Sequence, residues 1–297
     1  RKRLMKLIQI ILAYLFRKHV AAADYYSDPN HLLKYFEWAI GLTKKISPNE
    51  NDTIETSIIL IPVIFIIGLA QYLLQDVFYH IPTFIFGAAV LIYCLGSRNF
   101  DRMIEPFIES WEQGDYDAAV YNAMVFEDPE AHDKADVTTL PEKVVKTLII
   151  GSNEKVFAIL FWFMVLGPVG AFAYRCCLIL RDYNNHDCVT GHHCNTLIDK
   201  LVFIIDWVPS RLTAISFAMA GSFVESFEAW LHIPHASINS NHNVLLAAGL
   251  GALKMDVSVE KQEYGVEEVK DARDLITRTT VVWLAAIAIL TLTNLVS

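Results

Sequence analysis

The stretch SIILIPVIFIIGLAQYLL, residues 57–74, decides the fold class of this chain. It contains no acidic or basic residue, and it lacks the regular polar positions that a surface helix of a soluble protein carries. A helix needs about 20 mainly apolar residues to cross the hydrocarbon core of a bilayer. The stretch therefore predicts a membrane-spanning helix.

Three further apolar runs resemble this one in composition. They are IPTFIFGAAVLIYCLG at 81–96, VFAILFWFMVLGPVGAFAYRCCLIL at 156–180 and TTVVWLAAIAILTLTNLV at 279–296. Gly167 and Pro168 interrupt the second of these runs. Because proline lacks a backbone donor, we expect a kink there whose freed carbonyl faces protein or water. The runs predict an all-α fold: a polytopic helical membrane protein with about four spans plus re-entrant or interfacial helices.

Two apolar stretches fit a full span less well. Residues 7–16 are too short to cross a bilayer, so we expect an interfacial or re-entrant segment there. No small-residue cleavage site follows their basic start, which predicts an uncleaved anchor. Residues 201–223 carry Asp206, Pro209 and Arg211 near their middle, and we interpret them as a broken or re-entrant helix pair.

The polar segments fit a single integral membrane domain over residues 1–297. The side holding the N-terminus and segment 97–155 has fifteen Lys and Arg, against eight in segment 181–278. Since positive charge favours the cytoplasmic side, we expect 97–155 in the cytoplasm and 181–278 to be periplasmic and re-entrant. Two short helices are predicted around Gly114, and their apolar stripe is interpreted as internal packing or as a contact surface for another membrane protein; it includes Met103, Phe107 and Trp111.

The hydrophobicity and net charge of the chain indicate which kinds of partner it can bind. The chain is 54% hydrophobic and has a formal net charge of −9. It has no basic stripe, which argues against nucleic acid as a partner. We expect a lipid bilayer, and either an anionic small molecule or another membrane protein. The sequence has no nucleophilic triad, Walker loop or dinucleotide fingerprint, so no catalytic residue and no cofactor are predicted.

The run HDCVTGHHC, residues 186–194, is the densest cluster of metal-ligand residue types. His186, His192 and His193 are weak candidates for zinc, because their spacing fits no familiar zinc site. In an oxidising periplasm a disulfide between Cys188 and Cys194 is the simpler interpretation.

Charged residues within apolar segments are the second group of candidate functional residues. Arg175 follows Tyr174 near the end of a predicted span, and snorkelling to the interface would explain it. Asp206 and Arg211 flank Pro209, where they fit either a structural ion pair or a site for an anionic ligand.

Three stretches resemble the AmpE proteins, the inner-membrane regulators encoded with the amidase of β-lactamase induction in Gram-negative bacteria. They are NEKVFAILFWFMVLGPVGAFAYR at 153–175, DWVPSRLTAISFAMAG at 206–221 and, more weakly, WEQGDYDAAV at 111–120. The resemblance extends over most of the chain from about residue 55. It implies a multi-pass protein of the bacterial inner membrane, linked to peptidoglycan recycling and β-lactamase induction.

The AmpE group is distantly related to the CobD/CbiB enzymes, which join an aminoalcohol phosphate to a corrinoid acid during cobalamin synthesis. Asn153 matches the enzymes, but Ser152 and Val156 stand where they have Glu and Asp. Tyr174 and Arg175 also match, whereas the later Asn and Asp of the enzymes are replaced by Leu178 and Arg181.

The downstream motifs diverge in the same way. Pro209, Arg211 and Leu212 retain the Pro-x-Arg-Leu element, but residues 237–239, Ser-Ile-Asn, lack the proline of the enzymes' Ser-Pro-Asn motif. The lost carboxylates favour a relative without catalysis.

We therefore predict a regulatory protein that binds a ligand, with an adenosylcobinamide-phosphate synthase of the CobD/CbiB type as the alternative. The predicted ligand-binding residues are Asn153, Tyr174, Arg175, Asp206 and Arg211.

Overall fold

The computed structural model describes residues 7–13, 30–46, 52–74, 81–95, 100–123, 139–189, 196–232, 240–255 and 264–293. Of these residues 93% are helical and none is in a strand, which confirms the all-α prediction. Residues 7–13 form a short helical segment. The labelled helices are α1 (Asn30–Ile46), α2 (Asp52–Leu74), α3 (Ile81–Leu95), α4 (Phe100–Glu112), α5 (Tyr116–Ala123), α6 (Leu140–Ser152), α7 (Ala158–Leu166), α8 (Pro168–Val189), α9 (Thr196–Ala220), α10 (Phe223–Leu231), α11 (Asn241–Ala252) and α12 (Val266–Leu292).

Four helical stretches in the described part of the chain are long and apolar enough to cross a membrane: Asp52–Leu74, Leu140–Leu166, Thr196–Ala220 and Val266–Thr291. The second joins α6 and α7 through a π-helical turn, Asn153–Phe157. It therefore takes in residues that the sequence analysis assigned to the polar segment. The predicted span over 81–96 corresponds to α3, which is apolar but, with 15 residues, is shorter than these four stretches and is not among the candidate spans.

The first candidate span shows most clearly that lipid is the expected surroundings. Only 11% of the most apolar window of α2 is buried against the rest of the protein. Ile61, Phe65 and Ile66 are each more than 60% exposed. A contiguous apolar surface of this kind is unfavourable in water and stable in hydrocarbon.

The predicted span over 156–180 is wrong in its bounds, but its interruption is confirmed. α7 ends at Leu166, and Gly167 has a φ of +74°, a left-handed conformation that glycine adopts without steric cost. Pro168 then starts α8, where its missing N–H leaves no helical bond unmade. The next amide, that of Val169, donates to Oε1 of Gln71 at 3.2 Å. The backbone therefore breaks where a side chain from α2 can satisfy it.

The prediction of a broken helix over 201–223 is also wrong. α9 runs without interruption from Thr196 to Ala220 with Pro209 inside it. Proline at this position frees the carbonyl of the residue four positions earlier, Ile205. The indole Nε1 of Trp162 donates to that carbonyl at 3.3 Å, so the helix continues with its freed acceptor satisfied.

The chain forms two compact units. The first consists of Arg1–Ser97, Glu154–Trp207 and Ala288–Ser297. At its centre α8 packs against α1, α2, α3 and α7. The residues of α8 that face these neighbours are apolar and buried, including Ala171, Cys176 and Leu178. A helix that is apolar on most sides must be enclosed by other helices or by lipid.

The second unit consists of Arg98–Asn153 and Val208–Ile287. In it α11 contacts both α10 and α6, so the three helices form successive layers. Gly249 and Gly251 permit this close packing: a Cβ on Gly249 would lie 2.8 Å from a side-chain atom of Ile149, and one on Gly251 would lie 2.7 Å from the backbone of Ser226.

α4 and α5 form the predicted pair of short helices. They meet at Gly114, whose φ is +73°, and Oδ1 of Asp115 accepts a hydrogen bond from the amide of Ala118 at the start of α5. Phe107 is fully buried and lies 5.7 Å from the ring of Trp111. The stripe is therefore internal packing at Phe107; the side chain of Met103 lies outside the described part.

Candidate functional site

A buried hydrogen bond joins two of the predicted site residues in the first unit. The hydroxyl of Tyr174 on α8 donates to Oδ1 of Asp206 on α9 at 2.9 Å. Tyr174 is 2% exposed and Asp206 is 3% exposed. A buried carboxylate is costly unless it is hydrogen-bonded, so this contact fixes both side chains.

An ion pair that the sequence analysis missed lies in the same unit. Nη1 and Nη2 of Arg181 donate to Oε1 and Oε2 of Glu154 at 2.7 and 3.1 Å, a bidentate arrangement. Both side chains are largely buried, with exposures of 16% and 13%. Glu154 belongs to the π-helical turn, and Arg181 lies seven residues, about two turns, after Tyr174 on α8. One face of α8 therefore carries both polar contacts.

Arg175 differs from its neighbours. It is only partly buried, between buried Tyr174 and buried Cys176 on α8. Among the residues that the structure describes, it forms no hydrogen bond and no ion pair. An arginine in an apolar helix without an ionic partner reaches the interface or meets a ligand.

Asn153 lies in the second unit, where it starts the π-helical turn. Its Oδ1 accepts a hydrogen bond of 2.8 Å from Oγ1 of Thr213, and both residues are fully buried. π-helical turns inside α-helices are frequent at functional sites, because they change which side chains face inward. Here the turn brings an amide side chain into the core.

The second unit also holds Arg211. Its Nη1 donates to Oδ1 of Asn241 at 2.8 Å and to Oγ of Ser210 at 3.2 Å. Asn241 is the first residue of α11, and Oγ of Ser240 caps that helix by accepting from the amide of Asn243. The guanidinium is thus held in place by side chains that themselves belong to ordered helices.

Besides the ion pair of Arg181 with Glu154, sequence reasoning missed three residues of these contacts, all in the second unit: Ser210, Thr213 and Asn241. The first two carried a readable signal. Asp206, Ser210 and Thr213 are spaced four and three residues apart, so they share one face of α9, and all three are buried. No local pattern pointed to Asn241, because its partner lies thirty residues away in the chain.

The predicted cluster at 186–194 falls outside the described side chains. This applies to His186, His192 and His193 and to the proposed disulfide between Cys188 and Cys194. Within the described part, no group of three or more His, Cys, Asp or Glu residues could hold a metal ion. The described cysteines, Cys94, Cys176 and Cys177, are free and buried.

Comparison with known proteins identifies relatives of two kinds. A family model described as "Regulatory signalling modulator protein AmpE" matches residues 31–296. Protein AmpE of Shigella flexneri is 23% identical over 248 residues, which cover 81% of this chain and 84% of that protein.

The second kind are cobalamin biosynthesis proteins CobD. That of Chromobacterium violaceum is 25% identical over 185 residues, covering 60% of this chain and 56% of the relative. The CobD protein of Stutzerimonas stutzeri is 26% identical over 174 residues, which cover 55% of this chain and 54% of that protein. The chain thus spans little more than half the length of these CobD proteins. No solved structure matches the chain significantly.

Proposed function

The chain belongs to the AmpE family, and on that premise we propose that it is an inner-membrane regulator that responds to an anionic small molecule without converting it. The observation that carries the proposal is the burial of polar side chains in apolar helices, above all the contact of Tyr174 with Asp206. A charged side chain at membrane depth costs on the order of 3 kcal/mol, so such groups mark functional sites by default.

Two arginines supply the preference for an anion. Arg175 is partly buried and has no ion pair within the described part of the chain, and Arg211 is oriented by Asn241 and Ser210. The planar guanidinium group matches the geometry of carboxylate and phosphate groups. A ligand carrying either group, such as a fragment released during peptidoglycan recycling, fits this chemistry.

The replaced carboxylates favour regulation over catalysis. Where the CobD/CbiB enzymes have Glu, Ser152 is buried and its Oγ donates to the carbonyl of Ile149 at 2.8 Å. Val156, at the position of their Asp, is buried as well. Neither position offers the metal ligand or the general base that activation of a carboxylate would require.

The resemblance to the AmpE proteins implies a link to β-lactamase induction, and the Lys and Arg counts favour a cytoplasmic position for α4 and α5. A strain lacking this protein would be complemented with the wild-type chain or with Arg175→Ala, Arg211→Ala or Arg273→Ala. Arg273 is a matched control, because its described ion pair is with the neighbouring exposed Asp274. We expect the first two variants to alter induction at normal protein levels and the control to behave as wild type.

A direct binding measurement complements the genetic one. A ligand present at 100 times its dissociation constant stabilises the folded protein by about 2.7 kcal/mol. We expect N-acetylmuramic acid or a muropeptide mixture to raise the unfolding temperature of the purified wild-type protein in detergent, and not that of Arg211→Ala. Unchanged induction in both arginine variants would contradict the proposal. Formation of product from an aminoalcohol phosphate and a corrinoid acid would replace it by the enzymatic alternative.

A further inference from the structure

The short helix α10 has an outer surface that the rest of the described chain leaves uncovered. It has nine residues and follows α9 after only Gly221 and Ser222. At 1.5 Å per residue it is about 14 Å long, roughly half the thickness of a hydrocarbon core. α10 is therefore too short to cross a bilayer.

The inner face of α10 packs against α9 and α11. Oγ of Ser226 donates to the carbonyl of Ala248 at 2.9 Å, and the amide of Ser222 donates to the carbonyl of Ala252 at the same distance. Trp230 packs against a core cluster of α9 and α11 residues, Ala214, Val244 and Ala248. These contacts fix which side of α10 faces away from α11.

The outer face of α10 consists of Phe223, Val224, Phe227 and Leu231. These side chains are 58%, 61%, 48% and 68% exposed. They lie within a sector of about 100°, because successive residues of a helix are about 100° apart. The rings of Phe223 and Phe227 are stacked, with centroids 6.1 Å apart, so the outer face is a continuous apolar strip.

An acidic edge borders the outer face on one side. Glu228 is exposed, and Glu225 is next to it on the helix surface. The hydrogen bond from Ser222 lowers the pKa of Glu225, so this carboxylate is ionised at neutral pH. Charged groups of this kind remain in water or among lipid headgroups. The helix thus has three surfaces: one against protein, one apolar and one acidic.

We propose that α10 lies in the membrane interface, with its outer face among the lipid acyl chains and its acidic edge toward water. The arrangement matches that of interfacial helices, which lie in the plane of the membrane. The position of α10 beside a candidate span supports lipid as the environment of its outer face. α10 follows directly from α9, a candidate span in which Ile215 and Met219, near the turn between the two helices, are also exposed. α10 has no Lys or Arg, so apolar burial rather than attraction to anionic lipids would hold it there.

Photocrosslinking in native membranes tests this proposal on the full chain. Phe227→p-benzoylphenylalanine is compared with the same change at Phe65 on α2 and at Tyr121 on α5, which are 66% and 72% exposed. On irradiation we expect the Phe227 and Phe65 variants to gain the mass of one phospholipid and the Tyr121 variant not to. A crosslink from position 227 to a second copy or to another protein, without a lipid adduct, would overturn the proposal.

A second measurement needs no substitution. The wild-type chain in liposomes is treated with a lipophilic diazirine that partitions among the acyl chains, and the labelled peptides are mapped. We expect label on Phe223, Phe227 or Leu231 as well as on the peptide that contains Phe65. Label on the latter peptide and none on α10 would refute an interfacial position. Neither measurement depends on ligand binding, so the proposal can fail while the proposed function stands.

Discussion

Gly251→Ala is the sharpest test of the layered packing of α10 on α11. A Cβ at position 251 would lie 2.7 Å from the carbonyl oxygen of Glu225, 2.7 Å from Cα of Ser226 and 3.0 Å from Cβ of Ala229. Favourable contacts between carbon atoms lie at about 3.5–4.0 Å. Two of the three obstructing atoms belong to backbone, so no side-chain rotation relieves the clash.

The clash sets the size of the expected effect. To accept the methyl group, α10 must move away from α11 by about 1 Å, and overpacking of this kind costs typically about 1–3 kcal/mol. The same movement stretches the hydrogen bond of 2.9 Å between Ser226 and Ala248, whose loss would add about 1 kcal/mol. Alanine is about 1 kcal/mol better than glycine inside a helix. The net destabilisation should therefore be about 1–3 kcal/mol.

Gly41→Ala is the matched control. Gly41 lies inside α1, and no atom would come within 4 Å of its added Cβ. With no clash, only helix propensity acts, and stability should rise by up to about 1 kcal/mol. Thermal unfolding of both variants in detergent measures the difference. If Gly251→Ala unfolds at or above the temperature of the wild type, the close approach of α10 to α11 is refuted.

Three further substitutions test individual contacts by the same unfolding measurement. Trp162→Phe removes the indole donor that satisfies the carbonyl freed inside α9, and it should cost about 1–3 kcal/mol; a neutral effect would contradict that role. Tyr174→Phe deprives the buried Asp206 of a donor and should also cost about 1–3 kcal/mol, whereas Tyr72→Phe at a 72% exposed position should change nothing. Arg181→Met leaves the carboxylate of a buried ion pair without its partner and should cost about 3 kcal/mol; a gain in stability would show that desolvation outweighs the pair.

The sequence allowed the helical class and the first and last of the four candidate spans to be predicted from apolar length, but the span over Thr196–Ala220 was missed and the predicted span over 81–96 corresponds only to a shorter apolar helix. The interruption at Gly167 was also predictable, since a Gly-Pro pair combines a left-handed residue with a missing donor. The same rule failed at Pro209. The carbonyl that Pro209 frees inside α9 has a partner, Trp162, which lies elsewhere in the chain and could not be identified from the local sequence.

The site was less predictable than the fold for a related reason. The expected residues Tyr174 and Asp206 do meet, but Asn153 and Arg211 lie in the other compact unit with partners that no local pattern indicated. Pairing between helices depends on their rotation and offset, and one residue of π-helical insertion changes both. The turn that starts at Asn153 is such an insertion, so spacing along the sequence could not give the partners beyond it.

Two described irregularities of the backbone in these apolar helices coincide with a side chain that satisfies the freed backbone group. Gln71 accepts from the first free amide after the Gly167 break, and Trp162 donates to the carbonyl freed by Pro209. In the π-helical turn, Asn153 instead supplies an acceptor for a neighbouring hydroxyl. Because hydrocarbon offers no hydrogen bonds, a regular helix, which satisfies its own backbone groups, would need no such side-chain partners at these three places. Under the proposed function these irregularities position polar groups for a ligand, which is the reason to test Arg175 and Arg211 before the surface charges.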